Sequence, residues 1–511
     1  MSHHWINSVK ANIESSSPYR YGRENFGAII FLAIFVWLSA KAVYNIYIHP
    51  LSGVPGPWVA KVLESYLVPA IATFKRSHKL LDLHRQYGGV VRVGVNQVSI
   101  SDWTALKTIY TNKTSTKSEL LYSTATFTGF HENIFSMRNK EAHHARRKLQ
   151  NQSYSQQVVL RNEELLSEKA NILVQRMIQG SRDSGSGYTV EVFRLNALFS
   201  LEVLMKCAFN RDYSEAPDKE SLELLTSLEE SGIALATRSA LPFLDRHYAH
   251  LIPGPVGQSF KQLNRFITRV LELQDKFIRH ELESDAASAR FLLTPLLSHS
   301  DFHLGRKLNH DEVLEEAVAL VFAGSGTTST LLSYLLWCLA KHEDVQDRLR
   351  AELQGAGSSL SEIQQLPVLN AAIKETHRLY PSFMGMVPRT LDCPIVVGKH
   401  VLPKGTLVVM QNFVHQRDPF LFPDPDSWLP DRWLHETKDM SSALTPFSLG
   451  PGNCIGQNLA KAELYLATSK IIRTVKIRLS SEMVESDMHM EDRGFTQPRK
   501  KRLLLDLDVL N

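Results

Sequence analysis

The chain has 511 residues, 43% of them hydrophobic and 22% charged, with a formal net charge of +4. This composition is typical of a globular protein with ample core and excludes a polytopic membrane protein, while so mild a positive charge gives no indication of nucleic-acid binding. The four cysteines are too few for a disulfide framework in so long a chain, which fits a reducing compartment.

An apolar segment near the N-terminus is the first predicted element. It carries no charge from Phe26 to Ala40 and continues past Lys41 to Ile48, which makes it long enough to cross a bilayer. A cleaved signal peptide is the alternative, but the apolar run begins late and a proline-rich stretch follows it. We therefore predict an uncleaved anchor. The expected division of the chain is an N-terminal segment (1–25), a transmembrane anchor (26–48), a proline-rich hinge (49–58) and one large domain (59–511).

The large domain is predicted to be mainly helical with a minor β portion. Alternating apolar residues in 91–95 and 98–100, on either side of Asn96-Gln97, predict a β-hairpin. A flexible surface loop is expected at 181–187. After Tyr380 the helical periodicity gives way to short alternating segments and proline-rich turns, which predict further strands.

The longest predicted helix begins near Asn309, with Glu312 as a capping-box partner, and runs past Trp337. Its centre reads Ala323-Gly-Ser-Gly-Thr-Thr328. Two glycines there are poor local choices, since each costs about 1 kcal/mol relative to alanine. Either a ligand lies against the helix, with the threonine hydroxyls bonding a small polar species, or the helix kinks or packs closely on another element. The pattern alone favours neither explanation.

Cys454 lies in the segment Phe447-Ser-Leu-Gly-Pro-Gly-Asn-Cys-Ile-Gly456, the most informative stretch of the sequence. Glycines on both sides let the backbone approach a flat ligand, and apolar residues at helical spacing from Ile455 place the cysteine at a helix start. Such a start stabilises a thiolate. The residues alone leave a nucleophile, a metal ligand and the axial ligand of a haem iron open. An inert buried cysteine is less consistent with this setting.

Two further motifs lie between these segments. Glu375-Thr-His-Arg378 and Trp428-Leu-Pro-Asp-Arg-Trp433 are common patterns when each is taken alone. In this order, however, the helix centre, the two motifs and the cysteine segment form a rare combination. It resembles the cytochrome P450 family of haem-thiolate monooxygenases, particularly its fungal microsomal members, over essentially the whole chain. The implied fold is mainly α with a minor β portion, a single cytochrome P450-like catalytic domain behind an N-terminal transmembrane helix.

The resemblance implies a role for each matching residue. Cys454 matches the axial thiolate of haem b, which donates electron density to the iron, and Phe447 matches the aromatic residue beside it. Thr327, with Thr328, matches the position that helps to deliver protons to bound dioxygen. The other matches are the haem-loop glycines (Gly450 and Gly456), the basic contacts of the haem propionates (Arg147 and Arg389) and a buried charge network that holds the haem-binding core (Glu375, Arg378 and Arg432).

Two positions depart from the family pattern. Gly452 stands where a basic residue usually precedes the cysteine, so one cationic contact for a propionate is missing. Gly326 stands where an acid usually precedes the threonine, so the familiar carboxylate of the proton relay is missing. We expect Arg147 and Arg389 to carry more of the propionate charge, and water, Thr328 or the substrate to complete the relay.

The substrate pocket is predicted from position relative to these motifs. The residues expected to line it are Phe127, Phe130, Phe322, Ala323, Met384, Met386 and Val387, which suggest a lipophilic organic substrate. Too few residues follow Cys454 for a flavin domain, and no Gly-x-Gly-x-x-Gly motif opens a βαβ unit. The resemblance therefore implies a separate NADPH-dependent flavoprotein reductase on the same membrane, to which Arg146, Lys148 and Lys461 could offer a basic face.

The leading interpretation is a single-pass enzyme of the endoplasmic reticulum, with residues 1–25 in the lumen and the catalytic domain facing the cytosol. It would insert one oxygen atom from O2 into a lipophilic substrate, with electrons from NADPH by way of the reductase. In fungi the family often serves secondary metabolism. One alternative is an isomerase, dehydratase or coupling enzyme of the same fold, and another is a haem-binding sensor without turnover. Thr327 and Thr328 favour oxygen chemistry over both.

Overall fold

The computed structural model describes residues 26–111, 113–185, 187–213, 219–240, 246–281, 291–385 and 387–510. The helices are α1 (Phe26–Val43), α2 (Trp58–Val62), α3 (Val68–Ala72), α4 (Arg76–Tyr87), α5 (Leu106–Tyr110), α6 (Glu119–Tyr122), α7 (Lys140–Gln150), α8 (Gln156–Arg161), α9 (Glu163–Asp183), α10 (Phe193–Phe209), α11 (Lys219–Glu230), α12 (Gly232–Ala240), α13 (Arg246–Ala249), α14 (Pro255–Glu281), α15 (Thr294–Ser298), α16 (His310–Lys341), α17 (Glu343–Gln354), α18 (Leu360–Ile363), α19 (Pro367–Leu379), α20 (Asn412–His415), α21 (Lys438–Ala443) and α22 (Gln457–Thr474). The strands are β1 (Val90–Arg92), β2 (Gln97–Ile100), β3 (Ser115–Lys117), β4 (Thr189–Glu191), β5 (Ser300–Asp301), β6 (Arg306–Lys307), β7 (Arg389–Leu391), β8 (Ile395–Val397), β9 (His400–Leu402), β10 (Leu407–Met410), β11 (Val475–Leu479), β12 (Met490–Asp492), β13 (Thr496–Pro498) and β14 (Leu504–Val509).

The largest sheet has the strand order β1-β2-β10-β7-β3. The predicted hairpin is confirmed as β1 and β2, which pair antiparallel with Val90 opposite Ile100. Strand β10 runs parallel to β2, whereas β7 is antiparallel to both β10 and β3. A second sheet has the order β11-β14-β4, and β5-β6, β8-β9 and β12-β13 form separate hairpins. The mainly helical fold with a minor β portion is therefore confirmed.

Helix α16 lies at the centre of the main core. Its N-cap is Asn309, and the predicted capping box with Glu312 is present. The helix packs on α10, α14, α19 and α22, and this contact on several sides explains why it is apolar around much of its circumference. It is long and apolar enough to cross a membrane, with a mean hydropathy of 1.3, but 67% of that window is buried inside the protein. It is therefore a core helix.

Unlike α16, the apolar helix at residues 26–48 is not buried against other parts of the protein. The segment comprises α1 and a π-helical turn at Tyr44–Ile48, has a mean hydropathy of 2.2, and none of its apolar window is buried. An uncovered apolar helix of this length is a candidate membrane span.

The chain after α1 is fixed to the large sheet. Arg92 on β1 is fully buried, and its Nη1 donates to the Asn45 carbonyl oxygen at 2.8 Å. The Arg92 backbone N–H donates to the Pro55 carbonyl oxygen at 2.7 Å, and Leu51 and Val54 are buried in the core of the sheet. The proline-rich stretch 49–58 thus lies against the sheet over its middle part.

One local prediction was partly wrong. The expected loop at 181–187 begins only after α9 ends at Asp183. The Ser181 hydroxyl donates to the Ile178 carbonyl oxygen at 2.8 Å, and this bond to the preceding turn is compatible with the helix continuing.

Candidate active site

The cysteine segment forms a tight loop between α21 and α22. Gly450 has φ of +70°, and a Cβ at that position would lie 2.3 Å from the Tyr110 carbonyl oxygen. Only glycine fits there. The Cys454 N–H closes the loop on the Phe447 carbonyl oxygen at 2.8 Å.

Cys454 lies just before α22, which begins at Gln457 with Gly456 as its N-cap and thus starts slightly later than the sequence predicts. The cysteine side chain is exposed, yet the surrounding protein raises the pKa of its thiol by burial. The thiol therefore lines an internal space and not the outer surface. A hydrogen bond from the Gly456 backbone and the charge of Arg147 lower the same pKa, and both favour a thiolate ligand.

The aromatic ring of Phe447 fastens this loop to α19. It meets the His377 ring edge to face at 5.4 Å, and the Lys461 ammonium lies 5.5 Å from its centre. Burial lowers the pKa of His377 to about 3, so this imidazole is neutral near pH 7. The ring beside the cysteine is thus held by one neutral and one cationic neighbour.

The two arginines predicted to contact propionates both reach the loop. Arg147 Nη2 donates to Asn453 Oδ1 at 2.7 Å, so part of its donor capacity serves the loop itself. Arg389 is buried, donates to the Tyr122 hydroxyl at 2.7 Å, and forms no ion pair with any described carboxylate. Its Nη2 lies 3.5 Å from the position of a Cβ on Gly452. Arg389 therefore places positive charge beside the position where the loop lacks its basic side chain.

Two basic residues of this cluster were missed at the sequence level. Lys117 on β3 lies directly opposite Arg389 on β7, and like charges in that register repel. Burial and then Arg389 lower the pKa of Lys117 to about 7. Burial, then Lys117, Arg147 and Arg389 lower the pKa of His143 to about 4. The place of His143 in the basic stretch of α7 could have marked it as a member of the cluster. The place of Lys117 follows from the pairing of β3 with β7, which no local sequence pattern reveals.

This cluster and the thiol test whether haem b fits the site. Arg147, Arg389 and the partly protonated Lys117 bring positive charge together beside the neutral imidazole of His143, at a place where Arg389 lacks a carboxylate partner among the described residues. Burying charge without a partner is unfavourable, and two carboxylates supplied by a ligand would relieve it. An internal thiol beside such a cluster matches a flat ligand with two propionates and an iron that accepts an axial thiolate. The residues present fit haem.

One face of α16 also opens onto internal space. Ala323 is exposed in the middle of an otherwise buried helix, and Thr327, one turn later, is half-buried. The Thr327 hydroxyl donates to the Ala323 carbonyl oxygen at 3.0 Å. Thr328 is buried and lies about 100° further round the helix, so it does not share this face. The geometry therefore argues against the predicted catalytic role of Thr328 and leaves Thr327 as the candidate.

The two glycines of the helix centre accommodate different neighbours. A Cβ on Gly324 would lie 2.9 Å from Leu204 Cδ2 of α10, which is the close helix packing considered from the sequence. A Cβ on Gly326 would lie 2.7 Å from Phe495 Cε2. The ring of Phe495, in the turn between β12 and β13, thus packs against Gly326, where the family pattern places an acid. This contact was not predicted.

We expect Gly326→Ala to lose the stability that alanine normally adds to a helix. The alanine should gain about 1 kcal/mol in helix propensity, but its methyl group would overpack Phe495 at a typical cost of about 1–3 kcal/mol. In a Phe495→Ala background the same substitution should stabilise the protein. Urea unfolding of the four proteins in this double-mutant cycle measures the coupling. Equal effects of Gly326→Ala in both backgrounds would show that the ring does not constrain this position.

Three aromatic rings lie along this side of α16. Phe322 contacts Phe127 at a centroid distance of 5.1 Å and Phe495 at 5.6 Å. Glu315 holds the Phe127 segment in place, because its Oε1 accepts from the Phe127 N–H at 2.8 Å and its Oε2 from the Thr128 N–H at 2.7 Å. Phe127 and Phe322 are therefore adjacent, next to the exposed Ala323.

The other predicted pocket residues have different surroundings. Met384 is 1% exposed and packs in a core cluster with Leu80 and Phe413, so its assignment to the pocket was wrong. Val387 is half-buried and packs against the core of the large sheet. Phe130 is 74% exposed, and its part in the pocket stays a prediction. Met386 lies outside the described residues.

A buried charge network joins α19 to the turn at Pro430–His435. Glu375 and Arg378 are fully buried and paired, with Oε1 to Nη2 at 2.8 Å and Oε2 to Nε at 2.9 Å. Arg432 Nε donates to Glu375 Oε1 at 3.2 Å, and Trp433 Nε1 donates to Glu375 Oε2 at 2.8 Å. Arg378 also donates to the backbone carbonyl oxygen of Ser427 at 2.9 Å. One carboxylate therefore binds two arginines and fixes the segment that precedes the cysteine loop.

The structure removes one of the three residues that were predicted to offer a reductase a basic face. Arg146 is buried and pairs with Asp301 at 2.9 Å and with Glu316, so it cannot contribute to a surface. The Lys148 ammonium lies 4.7 Å from the exposed ring of Phe302. Spacing in the sequence could not distinguish these neighbouring side chains because the acids that bury Arg146 come from β5 and α16.

Known proteins share both the sequence pattern and the fold. A family model described as cytochrome P450 matches residues 55–505. The cytochrome P450 monooxygenase lcsI of Purpureocillium lilacinum is 28% identical over an alignment that covers 93% of each chain. The trichothecene C-15 hydroxylase of Fusarium sporotrichioides is 28% identical, with 87% of this chain and 90% of that protein covered. The structure of retinoic acid-bound cyanobacterial CYP120A1 matches with a TM-score of 0.72 over 89% of this chain and 99% of that one, at 20% identity.

The helical fold, the internal thiol and the basic cluster around it define a haem-thiolate protein. With the family model spanning most of its length, the chain belongs to the cytochrome P450 family. It is accordingly an oxidoreductase of the monooxygenase type, for which the family implies haem iron as cofactor.

Proposed function

We propose that this protein inserts one oxygen atom from O2 into a lipophilic secondary metabolite, with electrons from NADPH delivered by a separate membrane-bound flavoprotein reductase. The observation that carries the proposal is the exposed Cys454 thiol, which lies near the charge of Arg147 in a loop that Gly450 and Phe447 hold in shape. The fungal relatives named as a monooxygenase and a hydroxylase support the reaction type.

The chain's own residues divide the work of the site. Cys454 would bind the haem iron through its thiolate and Phe447 would pack beside this ligand, while Arg389, Arg147 and Lys117 would hold the propionates next to the neutral imidazole of His143. Haem b, when bound, supplies the iron at which dioxygen is activated. Thr327 holds a proton at Oγ1 on the same face of α16 as the exposed Ala323. Phe127 and Phe322 exclude water and pack on the apolar part of the substrate.

Because Gly326 carries no carboxylate, proton supply must use other groups. Ser382 Oγ donates to the Thr327 carbonyl oxygen at 2.9 Å, and Thr496 Oγ1 donates to the Pro381 carbonyl oxygen. These bonds tie β13 and the segment after α19 to α16 at the threonine. They hold Thr327 in place on the exposed face of α16. We assign proton delivery to its hydroxyl, with water completing the relay.

The decisive experiment combines the reductase, NADPH and labelled dioxygen with a panel of lipophilic compounds. The expected product carries one labelled oxygen atom and forms in proportion to NADPH consumed. Product without label would instead support an isomerase or coupling enzyme, and the absence of any turnover across the panel would favour a haem-binding sensor.

Haem binding is expected to take up close to one proton above neutral pH. Without a propionate partner the pKa of Lys117 is about 7, and a carboxylate beside it should raise this pKa back toward the ordinary value of 10.5. Between these two pKa values the haem-bound protein holds one more proton than the haem-free protein. Haem affinity should therefore fall by up to about tenfold per pH unit as the pH rises through this range. Calorimetry in buffers of different ionisation enthalpy measures the uptake. Lys117→Met should abolish it, and uptake that persists in this variant would exclude Lys117 as its source.

The same proposal includes the membrane. We place residues 26–48 across the endoplasmic reticulum membrane, residues 1–25 in the lumen and the catalytic domain on the cytosolic side. The support is the uncovered apolar surface of residues 26–48 and its mean hydropathy of 2.2. Protease treatment of intact microsomes should degrade the catalytic domain, and protection of that domain would reverse the orientation.

A further inference from the structure

A cavity of about 290 Å³ lies beside the aromatic rings of the active site. The C-terminal end of α11, the start of α14 and the β12–β13 hairpin enclose it, and Phe322 and Phe495 form part of its wall. These are the rings that contact each other at 5.6 Å and flank Gly326 and Ala323. Its volume is close to the lower end, about 300 Å³, of small-molecule sites. The cavity therefore adjoins the place where the substrate would react.

Two charged side chains in this cavity have no bonded partner. Lys501 and Glu229 both line it and both are half-buried. Across the described residues, neither side chain forms a hydrogen bond or an ion pair, and the two do not pair with each other. They are nevertheless close enough to interact, since Glu229 is the charge that most raises the pKa of Lys501 while burial lowers it. A free donor and a free acceptor thus share one cavity.

The other charges at the cavity are already engaged. Arg493 donates to Glu491 Oε2 at 2.8 Å, and its guanidinium lies 4.2 Å from the centre of the Phe74 ring. Glu230 accepts from Gln262 Nε2 at 2.6 Å. The contrast singles out Lys501 and Glu229 as the charged groups of the cavity with unused hydrogen-bonding capacity.

The backbone of Lys501 is also held in an unusual conformation. Its φ is +49°, in the left-handed region that side chains other than glycine and asparagine seldom adopt. Its N–H donates to the Pro498 carbonyl oxygen at 3.1 Å, which fixes the turn after β13. Strained positions of this kind persist where the surrounding structure imposes them, and they cluster at binding sites. Here the turn directs a lysine into a cavity that contains no bonded acid for it.

We propose that this cavity binds the oxygenated end of the substrate, a hydroxyl group that accepts a hydrogen bond from Lys501 and donates one to Glu229. The hydrocarbon part of the same molecule packs on Phe322 and Phe495. A hydroxyl is the group that satisfies one cationic donor and one anionic acceptor together, whereas a carboxylate would be repelled by Glu229 and an ammonium by Lys501. The inference rests on the proposed function, because it assigns one end of the substrate of that same site.

Three probes of one shape test the assignment. Biphenyl offers neither hydrogen bond, 4-methoxybiphenyl accepts but cannot donate, and 4-phenylphenol does both. Dissociation constants are measured by calorimetry on the haem-loaded, full-length protein without a reductase, so the result does not depend on turnover. The expected order of affinity is 4-phenylphenol, then 4-methoxybiphenyl, then biphenyl, with about a tenfold or larger difference between the first and the last.

Variants identify the groups responsible. Lys501→Met should weaken 4-phenylphenol and 4-methoxybiphenyl by about tenfold each and leave biphenyl unchanged, while Glu229→Gln should weaken 4-phenylphenol alone. The exposed Lys500→Met, next to Lys501 in the chain but outside the cavity lining, is the matched control and should change none of the three values. Equal affinities for the three probes in the wild type overturn the proposal. So does a Lys501→Met effect of the same size on all three, which would make the lysine a structural latch of the hairpin.

Discussion

Replacing Cys454 with alanine is expected to abolish thiolate ligation of the haem iron and all monooxygenation that depends on it. The thiol lines internal space, and the loop that carries it is closed by backbone bonds that alanine retains. The fold should therefore persist while the axial ligand is lost. The spectrum of the reduced protein under carbon monoxide reports the ligand directly, since the thiolate-ligated Soret band should be absent from the variant.

The chain provides a matched control for this experiment. Cys393 is also a free, exposed cysteine, but it lies between β7 of the large sheet and β8 of a separate hairpin. Cys393→Ala should keep both the thiolate-type spectrum and the activity. A Cys454→Ala protein that retained the thiolate band would disprove the ligand assignment.

Removing the charge of Glu375 is expected to give the largest loss of stability. Glu375→Gln keeps the size of the side chain but leaves the fully buried Arg378 without its carboxylate and weakens the hold on Arg432. Breaking a buried pair in this way typically costs about 3–5 kcal/mol. Urea unfolding should show a loss of that size, and haem content should fall because the network fixes the segment before the cysteine loop.

Asp431 offers the comparison within the same motif. It pairs with Arg348 at 2.8 Å, but both side chains are largely exposed, at 61% and 42%. Exposed pairs contribute about 0–1 kcal/mol, so Asp431→Asn should unfold almost like the wild type. Losses of similar size in Glu375→Gln and Asp431→Asn would mean that burial does not set the value of the Glu375 pair.

Features that depend on neighbours in sequence could be predicted well. The capping box joins Asn309 to Glu312, three positions later, and the Glu375–Arg378 pair lies on one face of one helix. The turn that requires Gly450 is likewise local in its φ angle, although the contact with Tyr110 is not. In patterns of this kind the spacing along one helix or turn already brings the side chains together, so the contact does not depend on how the rest of the chain packs.

Features that arise from distant segments could not be predicted. The packing of Phe495 on Gly326 joins a hairpin near the C-terminus to the central helix, and the repulsion of Lys117 by Arg389 depends on the register of two strands. Met384 shows the opposite error: its place after the Glu375 helix suggested a pocket, but packing with Phe413 buries it in a core. Side-chain direction depends on tertiary packing, which residue spacing does not encode.

The buried Arg92 bears on how the catalytic domain stands on a bilayer. Arg92 bonds to Asn45 and to Pro55, and Leu51 and Val54 are buried in the core of the sheet. The chain that follows α1 is therefore a rigid connection to the domain and not a flexible linker. A flexible linker would let the domain adopt many orientations relative to the membrane, whereas a rigid connection passes the tilt of residues 26–48 on to the whole domain. With residues 26–48 in a membrane, the height and tilt of the domain are therefore set by the anchor. The reductase proposed above, if it diffuses in the same plane, would then meet the domain in one fixed orientation.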